Sequence, residues 1–593
     1  MVTEKLKTLP LGSVKLLDSV FSHRQELNRK YMLSLKNENL LQNHYLEAGL
    51  WMPRRAPQDC HGGWEYPTCQ LRGHFLGHWL WAAARTIGTT GDPEMKAKAD
   101  FIVGEIARCQ VENGGEWAGP IPEKFLAWIA RGKDVWAPQY TLHKNVMGLV
   151  EMHKQTGSKT ALDVITKWAR WFYKWSGKFT GEEWQKVLRF ETGGMQEAWA
   201  ELYSETKEPK HLDLARRYEQ RKLWEDLLEG KDPLSNRHAN STIPEVMGLA
   251  RMYEVTGERR YRDIVEAFWK CAVTDRGYFV TGGQSSGEMY TQPFELSPRF
   301  GVNTQEHCTV YNMIRLADYL LRWTGDVRYG DYIERNYHNG ILAQQNPDTG
   351  MVAYYLPMRP GSKIEWGHPT DHFWCCHGTL VQAHPIHGSY AFYEDNEGIV
   401  LSQYIPVEAG FSWKRVPVKV TLKSDPRGKA PRRPCSNAYE ILIQPSRPVE
   451  FALKIRLPWW MAGDAKVMVN GQPTEVTGGP SSYLRIERMW SAGNKVRIEL
   501  PKDLVAVPLP DDPDVVAFMD GPVVLAGLCD EERTLRGDKR DPRSILVPDA
   551  EWEWGQWLTG YRTRMQDRGI RFVPVNEVRD EQFTIYFPVT SNV

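Results

Sequence analysis

"MYEVTGERRYRDIVEAFW", residues 252–269, runs through an apolar stretch to Thr256-Gly257, makes a polar turn, and resumes with apolar side chains at Tyr261, Ile264, Val265 and Phe268. That spacing predicts an amphipathic helix. The Thr-Gly before it predicts where the preceding helix stops. The same punctuation, sometimes degenerate, marks "IGTTGDPEMKAKADFIV" (87–103), "HKQTGSKTALDVITKWARWF" (153–172), "LYSETKEPKHLDLARRY" (202–218) and "LRWTGDVRYGDYIERNY" (321–337). Thr90, Thr156, Thr206, Thr256 and Thr324 therefore index five helical hairpins, a repeat architecture. Stacked hairpins form either an open solenoid or a closed ring. Five copies, with a sixth across the N-terminal helices, favour closure as an (α/α)6 barrel. The long segments between repeats, such as residues 111–140, should then gather at one mouth, where sites lie.

Near Gly398 the pattern changes to short alternating runs. "FALKIRLPWW" (451–460), "SYLRIERMW" (482–490), "NKVRIELP" (494–501) and "DVVAFMDGPVVLAGL" (514–528) are separated by Asn-Gly, Gly-Gly-Pro and Ala-Gly turns. The expected fold class is multidomain α+β: an (α/α)6 barrel over 1–396, then antiparallel β-sandwich domains over 397–506 and 507–593. The proline-rich "VPLPDDPD" (507–514) divides the two.

Length alone calls for more than one core in 593 residues. Lys plus Arg and Asp plus Glu balance at 74 each, so no global charge draws the chain to nucleic acid or to an anionic membrane. A small neutral partner suits it better. The 24 tryptophans point towards carbohydrate, whose ring faces pack on flat aromatics, or simply towards a large core. No apolar run has signal-peptide or membrane-span length, so a soluble, cytoplasmic protein is expected. Nine cysteines, an odd number thinly spread, argue against a disulfide framework and leave thiols free for chemistry.

Two of those thiols are adjacent, in "DHFWCCHGT" (371–379). A redox pair would be Cys-x-x-Cys beside a βαβ unit, which this is not; core packing, metal binding and nucleophilic chemistry remain. Upstream, "NTQEHCTVYN" (303–312) places Glu306 and Cys308 one residue apart. With Cys375 and Cys376 they make three soft sulfurs and one carboxylate, the number a tetrahedral zinc site takes. Zinc would also hold the thiols as thiolates, which are strong nucleophiles. His74 and His78 share a helix face in "GHFLGHWL" (73–80) but lack the glutamate of His-Glu-x-x-His, so packing or substrate lining is expected of them rather than a second metal.

Taken in order, "PLGSVKLLDSVF" (10–21), "GHFLGHWL", "YTLHK" (140–144), "GGMQEAWAELY" (193–203), "RHANSTIPEVMGLARMYEVTG" (237–257), "EHCTVYNMIRLADYLLRWTGD" (306–326), "ERNYHNGIL" (334–342), "FWCCHGT" (373–379) and "PDVVAFMDGPVVLAG" (513–527) resemble the cysteine-dependent β-L-arabinofuranosidases of glycoside hydrolase families 127 and 146. The resemblance spans essentially the whole chain. It implies an (α/α)6 catalytic barrel followed by β-sandwiches, and zinc held by Glu306, Cys308, Cys375 and Cys376. It makes Cys375 the nucleophile that forms a thioglycosyl-enzyme. It makes Glu288, in "SSGEMYTQPFELSPRF" (285–300), the general acid/base, with Glu295 as competitor. His143, His238, Glu334 and Tyr354 fall where the family places substrate contacts, and Tyr355 lies one register step from Tyr354. The implied activity is a retaining exo-glycosidase with β-L-arabinofuranoside as default substrate.

His377, His384 and His387 depart from the commoner form of the families and put the sugar, more than the mechanism, in question. Two other readings stand beside this one: a sugar epimerase or isomerase in an (α/α)6 barrel, and a non-catalytic carbohydrate-binding protein with structural zinc. The expected partner is a small carbohydrate, with no nucleic acid and no membrane. The sequence leaves room for a homodimer.

Overall fold

The computed structural model describes residues 4–50, 60–424, 435–549 and 560–591, and the backbone of 552–553 and 556–557. Each of the five hairpins forms where the Thr-Gly marks it. The repeat threonines Thr90, Thr156, Thr206, Thr256 and Thr324 donate their hydroxyls to the carbonyl four residues back, at 2.5–2.9 Å. Four of them also accept the backbone N–H two residues ahead, that of Asp92, Glu208, Glu258 or Asp326, each the N-cap of the next helix. The residue between takes a left-handed conformation: Gly91, Gly157, Gly257 and Gly325, with Lys207 adopting it in the degenerate copy. One threonine thus ties off one helix and starts another.

The ring is closed, not open. Its inner helices are His74–Thr90, Pro138–Thr156, Met195–Thr206, Ala239–Thr256, His307–Thr324 and Cys375–Ala383, each packed on the next and the last on the first. The outer helices are amphipathic: Arg259–Trp269 buries Tyr261, Ile264, Val265, Phe268 and Trp269 on one face. The inner ones are covered on all sides, as Cys375–Ala383 is at every residue. The sixth pair differs from the expected N-terminal hairpin. Its inner helix is Cys375–Ala383, and Val20–Ser34 covers it from outside, so the two ends of the barrel segment meet to close the ring.

The tightest inner contact, His74–Thr90 against Pro138–Thr156, depends on two glycines. A Cβ on Gly77 would lie 2.0 Å from the Lys144 carbonyl carbon, and one on Gly148 would lie 2.5 Å from the Gly77 oxygen. The far end of the barrel axis is filled by ion pairs. Arg315 holds Glu197 at 2.7 Å, Arg251 holds Glu201 at 3.1 Å and Glu254 at 2.8 Å, and Arg322 holds Glu254 at 2.6 Å and Asp318 at 3.0 Å. The end with the helix N-termini is left open to the long loops.

The middle of the chain is a sandwich. Its five-stranded sheet runs Lys7–Thr8, Phe392–Glu394, Gly398–Leu401, Val449–Leu457, Ser482–Trp490, with one parallel pair between the third and fourth. Its seven-stranded sheet runs Gln472–Thr474, Lys466–Val469, Asn494–Pro501, Ser436–Pro445, Val416–Ser424, Val407–Trp413, Val14–Leu16. Both sheets take an edge strand from the first sixteen residues, so the chain enters the sandwich before it builds the barrel. From Leu504 onward the strands form a separate two-stranded sheet, Trp552–Glu553 with Gln556–Trp557, and an eight-stranded one around Val515–Asp520. Val516 and Phe518 face its own cluster, while Ala517 and Met519 pack on Phe279, Leu296 and Leu356 from the barrel loops. Among the described residues no helix is long and apolar enough to cross a membrane.

Gly77→Ala should destabilise the fold by at least ~1–3 kcal/mol, the usual cost of overpacking, because a backbone carbonyl occupies the place of the new methyl. Chemical denaturation of the two proteins checks this.

Candidate active site

The residues at the mouth come from the first turns of the inner helices and the loops before them. Glu306 is the N-cap of His307–Thr324, and Cys308 is in its first turn; Cys375 and Cys376 open Cys375–Ala383. These adjacent helices bring one atom from each of the four residues within 4.8 Å of one another, all buried. Cys308 Sγ lies 3.3 Å from Cys376 Sγ, and Cys375 Sγ lies 3.9 Å from Cys376 Sγ and 3.7 Å from Glu306 Oε1. Thr379 Oγ1 lies 3.2 Å from Cys308 Sγ, and Thr309 donates to Glu306 Oε2 at 3.1 Å.

Two helix N-termini aimed at the sulfurs favour negative charge there. Hydrogen bonding with Cys308 and Cys376 holds the Cys375 thiol well below the ordinary thiol range, against the effect of burial. Burial pushes Cys308, Cys376 and Glu306 towards their protonated forms, since no protein cation sits among them. A buried set of three thiols and a carboxylate, lacking a counter-charge of its own, matches a soft divalent ion.

Beside the cluster, the Tyr354 hydroxyl is 3.5 Å from Cys375 Sγ and donates a short hydrogen bond to Glu288 Oε1. Tyr355 stacks under the Tyr354 ring, with centroids 4.4 Å apart. Glu288 is at the tip of a two-residue hairpin between Ser285–Ser286 and Met289–Tyr290. Gly287 and Glu288 both have positive φ, 57° and 67°, as the tight turn requires. A glutamate in that conformation is uncommon, and it points the carboxylate into the mouth. Glu288 Oε2 is 3.5 Å from His238 Nε2. His238 caps Ala239–Thr256 by accepting the Ser241 N–H on Nδ1 at 3.2 Å, so in the neutral ring the proton is on Nε2, facing Glu288.

Two sequence profiles match this chain: the glycoside hydrolase family 127 β-L-arabinofuranosidase catalytic domain over residues 13–389, and the middle domain of that family over 398–502. The chain belongs to glycoside hydrolase family 127. A non-reducing end β-L-arabinofuranosidase of Bifidobacterium longum subsp. longum is 24% identical over 525 residues, 78% of this chain and 75% of that one. In fold, the chain resembles a family 127 β-L-arabinofuranosidase of Geobacillus stearothermophilus T6 (TM-score 0.73, 17% identity, covering 98% of this chain and 100% of that one). It also resembles a further family 127 β-arabinofuranosidase (TM-score 0.76, 17% identity, covering 99% and 98%).

Within this family 127 barrel the expected residues do not all meet. Glu306, Cys308, Cys375, Cys376, Tyr354, Glu288 and His238 form one connected group. Glu295 is exposed, whereas Glu288 is linked to Cys375 through the Tyr354 hydroxyl. His143 is buried, accepts the Gly194 N–H on Nδ1 at 3.2 Å, and has no partner for Nε2.

Glu334 is a correction. Its carboxylate pairs with Arg456 of the sandwich at 2.9 Å and accepts from Trp460 Nε1 at 2.8 Å, beside Asp331, which holds the same arginine at 2.6 Å. It faces the sandwich because it lies on the outer helix Val327–Asn336, and it locks that sandwich to the barrel.

His74 and His78 brace the cysteine helix: His74 Nε2 bonds the Phe373 carbonyl at 2.8 Å, and His78 Nδ1 bonds Gln382 at 2.9 Å. His377 bonds the His368 carbonyl, and His384 bonds His387, all three buried. Sequence reasoning missed Glu191, Lys144, Tyr140 and Thr379. Glu191 precedes the Gly-Gly turn into Met195–Thr206, close enough for its charge to act on His238, Cys375, Lys144 and Glu288. The signal that could have found it is position: the start of every inner helix faces the mouth.

Hydrogen bonding to His238 and Tyr354 lowers the Glu288 carboxyl, and the His238 imidazole is raised because its bond to Glu288 and the nearby negative charges outweigh burial. A lowered carboxyl stabilises above its ordinary value and stops doing so on acidification. A raised imidazole stabilises below its ordinary value and stops doing so as pH climbs through the raised one. The pair is therefore strongest between the two folded-state values. In Glu288→Gln, NMR titration should show His238 deprotonating at lower pH than in wild type. Glu334→Gln should lower stability by roughly 2–3 kcal/mol, less than the ~3–5 of a buried pair broken outright because Asp331 remains, with the activity of the folded protein retained. Thermal unfolding with a matched activity assay checks this.

Proposed function

We propose that this family 127 enzyme is a retaining, exo-acting β-L-arabinofuranosidase with Cys375 as nucleophile and Glu288 as general acid/base. The observation that carries the reading is the Tyr354 hydroxyl in contact with both Cys375 Sγ and Glu288. Nucleophile and acid/base bridged by one hydroxyl are closer than the ~6.5–9.5 Å that an inverting pair needs for its water. The Bifidobacterium relative, named for β-L-arabinofuranose at a non-reducing end, supports the choice of sugar. The depth of the buried sulfur supports exo action, because a terminal residue can reach it more readily than an internal one.

Glu306, Cys308, Cys375 and Cys376 would hold zinc, which supplies the positive charge that keeps buried thiols ionised. The Cys375 sulfur attacks the anomeric carbon as the glycosidic C–O bond breaks, and Glu288 donates its proton to the leaving oxygen. His238 and Tyr354 hold the Glu288 carboxyl below its ordinary range, and the negative charge at Cys375 offsets that only in part. In the second half-reaction Glu288, now a carboxylate, takes a proton from water. The water oxygen bonds to the anomeric carbon, the C–S bond breaks, and configuration is retained. Tyr354 holds the two groups in register. The His143 Nε2–H, and the half-exposed His238, are donors for sugar hydroxyls.

The test is hydrolysis of p-nitrophenyl β-L-arabinofuranoside and a panel of other aryl furanosides and pyranosides, with zinc quantified and the anomer followed by NMR. Wild type should release the β-anomer first. Folded Cys375→Ser should be inactive, and Glu288→Gln slowed ~10²–10⁴-fold. An active Cys375→Ser protein would sink the mechanism, and preference for another sugar would replace the substrate.

A further inference from the structure

We infer that Lys144 is the counter-ion of the Glu306/Cys308/Cys375/Cys376 cluster, a positioning residue that balances the charge of the metal-loaded site; this rests on the zinc reading above. Lys144 lies one turn beyond Tyr140 on the inner helix Pro138–Thr156 and is 6% exposed. Its Nζ sits 4.7 Å from the centre of the Tyr140 ring, and that ring packs with Cys308, Cys375 and Cys376 in one buried cluster. The Tyr140 ring therefore lies against the ammonium and belongs to the same buried cluster as the three sulfurs.

Several buried cations hold carboxylates: Arg276 holds Asp232 and Arg315 holds Glu197 in the barrel, and Arg456 of the sandwich holds Asp331 and Glu334, while Arg24 donates to two backbone carbonyls. Lys144 has no ion pair and no hydrogen-bonded carboxylate among the described residues. Leaving an ammonium this deep without an opposite charge is costly. Four anionic donors carry two more negative charges than a zinc ion neutralises, so the loaded cluster is itself an anion needing a cation nearby. Other basic groups at the mouth do not answer that need. Burial keeps His74, His78 and His143 neutral, His238 faces Glu288 at 3.5 Å, and Arg315 is paired with Glu197. Glu191 also acts on Lys144, but less strongly than Cys308 or Cys375. The surplus of the cluster and the unpaired ammonium are therefore complementary.

The experiment is a zinc competition against a chromogenic chelator with wild type, Lys144→Met and Lys144→Arg, with thermal unfolding of the zinc-free proteins as the folding control. Lys144→Met should lose zinc affinity ~10–100-fold, the range for outer-shell partners of a metal site, while Lys144→Arg stays near wild type. Should the methionine variant not fold, Lys144→Gln takes its place in the same comparison. Unchanged zinc affinity in a folded, uncharged variant overturns the inference. A raised KM with unchanged zinc affinity would do so too, making Lys144 a donor to substrate. A wild type that takes no zinc would instead overturn the metal reading itself, and with it this one.

Discussion

A ring of inner helices needs a last member that fits between the fifth and the first, and here that member is Cys375–Ala383. It has nine residues, all buried, and its flanks are set by His307–Thr324 on one side and His74–Thr90 on the other. The two cysteines lie in its first turn, so the step that closes the barrel also brings their sulfurs to Cys308 and Glu306. His74 and His78 hold this helix from the first hairpin, one through the Phe373 carbonyl and the other through Gln382. Phe373 takes a left-handed conformation, φ 44°, to turn the chain into the helix, and the His74 bond fixes that turn. Closure and the cysteine cluster share one set of contacts.

The two ends of the barrel are electrically different. At the C-terminal ends of the inner helices, arginines and glutamates pair across the axis and neutralise one another. At the N-terminal ends, helix dipoles converge on groups that are acidic when ionised: Cys375, Cys376, Cys308, Glu306, Glu288 and Glu191. Burial alone would keep most of these protonated; the helix N-termini act the other way, as would a bound cation and Lys144.

The β-rich half bears on the site indirectly. Arg456 reaches from the sandwich to Asp331 and Glu334, and the eight-stranded sheet packs on the loops that contain Phe279 and Leu296, which flank the Glu288 hairpin. A strained hairpin tip holds its conformation only if its surroundings are rigid. The sheets supply that support, which gives a structural reason for a catalytic barrel to keep both of them.

Local periodicity determined the five hairpins, because the pattern of apolar residues and the Thr-Gly stops act over a few residues and need no partner elsewhere. The donor types and their order, Glu-x-Cys and then Cys-Cys, were equally legible, since sulfur and carboxylate chemistry does not depend on where the chain runs. Which ends meet was a tertiary decision. The sixth pair joins residues 20–34 to 375–383, and no local pattern connects segments so far apart. Glu334 looked like a sugar contact in one dimension, but the outer helix turns it towards Arg456. Tyr354, with Tyr355 stacked on its ring, is the tyrosine whose hydroxyl contacts Cys375 and Glu288, and Glu288 rather than Glu295 sits at the hairpin tip with positive φ. Glu191 belongs to no motif and Lys144 ends "YTLHK" with no role read from it; both became visible only when six helix starts faced one cavity.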